Sequence, residues 1–215
     1  MTAPKHPSSK LPKVRFSSSW ELYEKVYRYA LKDKEEVDTD EFESVEADLI
    51  TQWMLYEEKI LAGICSITGL SFRKNIIDIF LVPKAGLVSK PLIVGVFTNN
   101  DSFVEVVAYQ LIFELLTDNT SIPLVYEVIE DWISLLEEDL YDDEAYFVPA
   151  FAIQKALYLD ILDEPERLEE IQKRAVGLFR MDEHEAWNYV NTKDYKEIIN
   201  KLHDMYKRIG NNNIF

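Results

Sequence analysis

The sequence predicts an α+β fold, mostly helical, with a small β-sheet of about two to four strands packed on a central buried helix. Two short β-branched segments, IIDIFLV (76–82) and PLIVGVF (91–97), are bounded by Pro83, Gly86 and Pro91 and read as strands of one sheet. Residues 103–119 form a run that is apolar on nearly every face, the pattern of a helix surrounded by protein. Helices precede the strands and helices follow them, which argues against alternating βα units.

The opening residues 1–15 hold Lys5, Lys10, Lys13 and Arg15 and no acid, and they show no apolar periodicity before Val14. They are expected to form a flexible basic tail, with order setting in near Ser18 and residues 16–215 forming a single globular domain. Ser18 or Ser19 can cap a helix carrying Trp20, Tyr23, Tyr27, Ala30 and Leu31 at steps of three and four. A second helix is expected from Thr39 or Asp40, through Phe42, Val45, Leu49, Trp53, Tyr56 and Ile60, until Gly63 interrupts it. CSITGLSF (65–72) suits a third strand or a helix end equally. Ser102 and Glu105 have capping-box spacing ahead of the central helix, expected over 101–118. Further helices are expected over about 122–139, 146–163, 165–180 and 193–208, with HEAWN (184–188) on a helix that turns Trp187 inward.

Composition narrows the function. The chain has 215 residues, 47% of them hydrophobic and 13% aromatic, enough for a substantial core. It has no run of about 18 apolar residues and no secretory leader pattern, so neither a membrane span nor export is expected. One cysteine, Cys65, excludes an intrachain disulfide and a cysteine-based zinc site, and a cytoplasmic location is the expectation. The net charge of −16 opposes nucleic-acid binding, which rests on Lys and Arg displacing counterions from phosphates.

Residues 103–119, FVEVVAYQLIFELLTDN, resemble the active-site helix of small zincin-type (HExxH) metallopeptidases, in which V-x-x-x-H-E-L-I-H-x-L-L-x-D-N follows a short sheet. In that family two His at i and i+4 bind zinc from one helical face, and the Glu beside the first polarises the zinc-bound water. Here those positions read Tyr109, Gln110 and Phe113. Phe113 has no lone pair, Tyr109 is a poor ligand with a phenol pKa of about 10, and Gln110 cannot take a proton. The resemblance extends weakly over FVPAFAIQKALYLDIL (147–162), where it implies a helix with His at positions held here by aromatics such as Phe147 and Phe151. Tyr109, Gln110, Phe113, Phe147 and Phe151 are therefore the degenerate site positions. No catalytic residue, metal or cofactor is expected. Read from the residues alone, Tyr109 and Phe113 are core aromatics one turn apart.

Other candidates are weaker. His184 begins an HE pair, but Asn188 stands where a second ligand would be needed. GICSITG is not a nucleophile elbow, and Cys65 reads as a small buried hydrophobe. EEDLYDDE (137–144) lacks the glycine and the spacing of a calcium loop and reads as a solvated connection. The functional expectation is a non-catalytic, metallopeptidase-like domain acting through contacts with a protein partner. One alternative is a metal-dependent hydrolase with a rearranged site using Glu105, Glu114 or His184, and another is an acidic decoy or binding module.

Overall fold

The computed structural model describes residues 11–24, 37–86, 88–97, 100–120, 132, 134, 136, 142–177 and 181–212. Strand β1 (Lys13–Ser18) leads into α1 (Trp20–Leu22), capped by the Ser19 hydroxyl; Tyr27, Ala30 and Leu31 of the helix expected there lie outside the described residues. Helices α2 (Thr39–Met54) and α3 (Glu57–Thr68) follow, then strands β2 (Ile76–Pro83), β3 (Val88–Ser89) and β4 (Leu92–Val96). A 3-10 turn (Asn100–Ser102) enters helix α4 (Phe103–Asp118). The rest is α5 (Asp142–Ala156), a π-helical segment (Leu157–Leu162), α6 (Pro165–Gly177), α7 (Met181–Thr192) and α8 (Tyr195–Asn212).

The sheet order is β1-β2-β4-β3. β1 pairs parallel with β2, β2 pairs parallel with β4, and β3 runs antiparallel to β4. The chain therefore climbs β2, passes over the end of the sheet, descends β3, turns through a cis Lys90–Pro91 bond and climbs β4 between the two. The two-residue period of the strands sorts their side chains. Ile77, Ile79 and Leu81 of β2 and Leu92, Val94 and Val96 of β4 join the main core, whereas Val82 and Ile93 join a smaller cluster with Tyr23 and Ala85. One face is thus fully covered, and the other is covered around Val82 and Ile93 but open at Ile76, which is 48% exposed.

Helix α4 leaves the sheet at Phe97, whose φ of 70° is unusual for a bulky residue and whose N–H donates to Asn100 Oδ1 (2.8 Å). Thirteen of its side chains are buried, among them Glu105, Gln110 and Glu114, so it is a central buried helix as predicted. Ser102 occupies the N-cap position without a side-chain capping bond, and Glu105 turns instead to Arg167, so the predicted capping box does not form. α5 packs on α4, α7 and α8. Gly63 lets α3 approach the π-helical segment: a Cβ there would lie 2.9 Å from Leu157 Cδ1 and 3.0 Å from Ile161 Cγ2. Among the described residues no helix is long and apolar enough to cross a membrane.

Several expectations need correction. Lys13–Arg15, assigned to a flexible tail, are strand residues, with Val14 buried and its N–H donating to Glu57 Oε1 (3.0 Å); residues 1–10 lie outside the described residues. The strand escapes a periodicity search because it is short, basic and stabilised by a partner some sixty residues away in sequence. The helix expected from Thr39 to Gly63 breaks earlier, at Leu55 and Tyr56, and Gly63 lies inside α3. The left-handed C-cap is Gly69 (φ 67°), so 65–68 close a helix and are not a strand. Cys65 is only half-buried. The predicted helix over 122–139 falls mostly outside the described residues, although Trp132, Ser134 and Leu136 are helical. Of 137–144, the described residues 142–144 belong to α5.

Candidate functional site

The five positions that the resemblance singles out lie on α4 and α5. Tyr109 and Phe113, one turn apart on α4, diverge slightly. Phe113 is 1% exposed and meets Trp132 edge to face (centroids 6.2 Å apart, planes at 81°). The half-buried Tyr109 meets Phe151 of α5 at 6.0 Å. Phe147 stacks on Phe151 (5.6 Å, 20°), and Phe151 stacks on Trp187 of α7 (4.3 Å, 8°). The structure therefore brings Tyr109, Phe147 and Phe151 into one aromatic column, with Phe113 beside it against a different ring. Trp187, predicted inward at only 3% exposure, completes the column; its partners were not legible in HEAWN.

Gln110 is fully buried. Its Nε2 donates to the Val88 carbonyl (3.1 Å) at the sheet edge, tying α4 to β3, while its Oε1 has no hydrogen-bond partner. The cluster offers rings, an indole N–H, the Tyr109 phenol and an amide, and Phe113, Phe147 and Phe151 have no lone pair to give a metal.

The polar residues of α4 lie away from this column. Glu105, 6% exposed, takes the Arg167 guanidinium at 2.5 Å, and Arg167 also reaches Glu164 (3.1 Å) and lies over the Tyr56 ring at 4.8 Å. Burial works against the Arg167 charge, but the Glu105 hydrogen bond and charge prevail and hold the guanidinium above its ordinary pKa. Tyr158 lies beneath the same guanidinium (5.9 Å), its hydroxyl buried without a partner. Burial, and after it the Glu105 charge, push this phenol well above the usual tyrosine range. Glu114, 3% exposed, is paired with Lys74, which also reaches Asp118 at 3.7 Å. His184 faces Asn188 Nδ2 (3.3 Å).

Each polar residue considered for a rearranged hydrolase is thus engaged separately: Glu105 by Arg167, Glu114 by Lys74, His184 by Asn188. No group of three His, Cys, Asp or Glu side chains among the described residues is arranged to hold a metal. The Arg167–Glu105 pair was missed in the sequence because nothing local marks Arg167 as the partner of a residue 62 positions earlier. Thr68, Leu116, His203 and Tyr206 line a shallow concavity too tight to admit a water molecule. His203 Nε2 lies 2.8 Å from the Ile67 carbonyl, and the Tyr206 hydroxyl donates to the Leu116 carbonyl. Both serve to dock α8.

Comparison with protein-family models, with curated proteins and with solved structures finds no match.

Proposed function

We propose that this chain is a non-catalytic protein on a zincin-like scaffold that acts through protein contacts. The observation that carries the reading is the aromatic column. The resemblance assigns ligand positions to Tyr109 and Phe113 on α4 and to Phe147 or Phe151 on α5; Tyr109, Phe147 and Phe151 lie together with Trp187, whereas Phe113 faces Trp132. Phe151 and Trp187 are buried while Tyr109 and Phe147 are half-buried, so rings occupy the place where a metal-bound water would sit. The rearranged-hydrolase reading is weaker, because Glu105 and Glu114 are already neutralised by Arg167 and Lys74.

The test restores the family pattern with Tyr109→His, Gln110→Glu, Phe113→His and Phe151→His. Phe151 is preferred to Phe147 because its ring faces Tyr109 directly. Zinc affinity is measured by competition with a chelator. The expected result is binding near one equivalent in the restored protein and none in the parent. A folded restored protein that binds no zinc sinks the scaffold assignment, and stoichiometric zinc or peptide hydrolysis by the parent sinks the non-catalytic reading. Burying four polar groups costs several kcal/mol, about 1–3 for each that lacks a partner. The double variant Tyr109→His, Phe151→His therefore serves as a milder companion, read by a zinc-dependent rise in Tm.

A further inference from the structure

Helix α2 differs from α6 and α8 in how its charges are disposed. On α6, Lys173 pairs with Glu169 and Arg174 with Glu170; on α8, Lys201 pairs with Glu197 and Lys207 with Asp204. These are acids answered by bases one turn on, the ordinary arrangement of a solvated helix. α2 carries Asp40, Glu41, Glu43, Glu46 and Asp48 and no lysine or arginine. Glu46 takes the Ser18 hydroxyl, whereas Asp40, Glu41, Glu43 and Asp48 have no basic partner among the described residues. The helix dipole accounts for Asp40 and Glu41 in the first turn, but its effect has faded by Glu43 and Asp48.

The same face ends in an apolar pair. Trp53 points inward at 0% exposure, while Met54 and Leu55 stand 69% and 77% exposed. At 100° per residue Asp40, Glu43, Ala47, Asp48, Thr51, Met54 and Leu55 fall on one outward stripe about 24 Å long, opposite the buried Phe42, Leu49 and Trp53. Its middle is kept low by the exposed Ala47 and Thr51, and the apolar pair lies between Asp48 and the exposed Glu58. An exposed apolar pair beside a row of acids offers a partner both an apolar seat and a charge pattern.

We infer that the outward face of α2 is a docking surface for a Lys/Arg-rich amphipathic segment of another protein, its apolar residues seated on Met54 and Leu55 and its bases facing Asp40, Glu43 and Asp48. Charge selects this occupant. A second copy of the chain would set acid against acid, and a nucleic acid would set phosphate against acid. The inference rests on the reading that the chain works through protein contacts and names the surface that does so.

The experiment titrates the isotope-labelled full chain with a synthetic 16-residue peptide of Lys and Leu at helical spacing, and in parallel with the same peptide carrying Glu for Lys. Amide shifts with the Lys peptide should concentrate in residues 39–58, and the Glu peptide should give none. Affinity should fall at least about tenfold both in Met54→Ser/Leu55→Ser and in Asp40→Lys/Glu43→Lys/Asp48→Lys. It should stay within about twofold for Glu166→Lys/Glu169→Lys/Glu170→Lys on α6, a control for net charge alone. All these positions are exposed, and circular dichroism checks that each variant is folded. Shifts spread over the acidic surface, an equal loss in the two triple variants, an unchanged affinity in Met54→Ser/Leu55→Ser, or self-association of the free chain through this face would each overturn the inference. Those outcomes leave the zinc tests untouched, so failure of the docking surface and failure of the non-catalytic reading are told apart.

Discussion

Phe113 is a core residue held by an aromatic contact. Its ring is packed edge to face on Trp132 and is almost wholly out of solvent. Replacing Phe113 with Ala should cost about 3–5 kcal/mol through lost transfer energy and the cavity left behind, read by urea titration. A loss below about 1 kcal/mol would refute a core role. Tyr158 gives the residue-scale prediction for pH. Its phenol is held in the neutral form because burial and Glu105 oppose ionisation, so its folded pKa is raised. A raised folded pKa contributes stability fully below the unfolded value of about 10 and loses it as pH climbs toward the folded value. Stability should therefore decline above pH of about 10, and Tyr158→Phe should flatten part of that decline. At pH 7 the same variant should be neutral or slightly stabilising, since it removes a hydroxyl that has no partner. A clear loss at pH 7 would show that the hydroxyl is bonded. That Tyr109 and Phe113 are aromatics one turn apart could be read from residue type and spacing. That Tyr109 meets Phe151 and Phe113 meets Trp132 could not, because those contacts cross between helices.

Among elements, β1 is the instructive one. Its residues Lys13, Val14 and Arg15 look like an extension of the basic leader, yet β1 forms the parallel edge of the sheet in register with β2. Val14 points into the core, Phe16 packs on Trp53 and Phe103, and Arg15 makes a two-point pair with Asp78 across the strands. Removing residues 1–15 should therefore destabilise the fold by at least about 2 kcal/mol, the scale of burying one Val side chain, and lower Tm by more than a few degrees. Equal Tm for the shortened and full chains would show the strand to be dispensable. The other strands and the central helix were legible because each carries its own signal: β-branched runs between Pro and Gly for β2 and β4, and all-round apolarity for α4. The break at Leu55 and Tyr56 was not, because Tyr56 and Ile60 continue the apolar period across it. Gly63 likewise signals a helix end by itself. It is instead the point where α3 passes close to Leu157 and Ile161.

For the whole molecule, a net charge of −16 on 215 residues means that folding gathers like charges into a smaller volume. Screening should relieve this, so Tm should rise by a few degrees as sodium chloride goes from about 0.02 to 0.2 M. A fall over that range would mean that ion pairs such as Arg167–Glu105 and Lys74–Glu114 outweigh the repulsion. The sequence by itself determined the α+β class, the two principal strands, the helix that the other elements surround, the inward Trp187 and the absence of zinc-binding residue types at Tyr109, Gln110 and Phe113. All of these are properties of residue type and local period, which act within a few residues along the chain. The tertiary structure alone decided that Lys13–Ser18 is a strand, that Phe147 and Phe151 stand with Tyr109 and Trp187 in one column, that Glu105 is buried with Arg167, and that Asp40, Glu43 and Asp48 of α2 meet no base among the described residues. Those are pairings between residues far apart in sequence, and their energy exists only once the chain has closed the loops that bring them together.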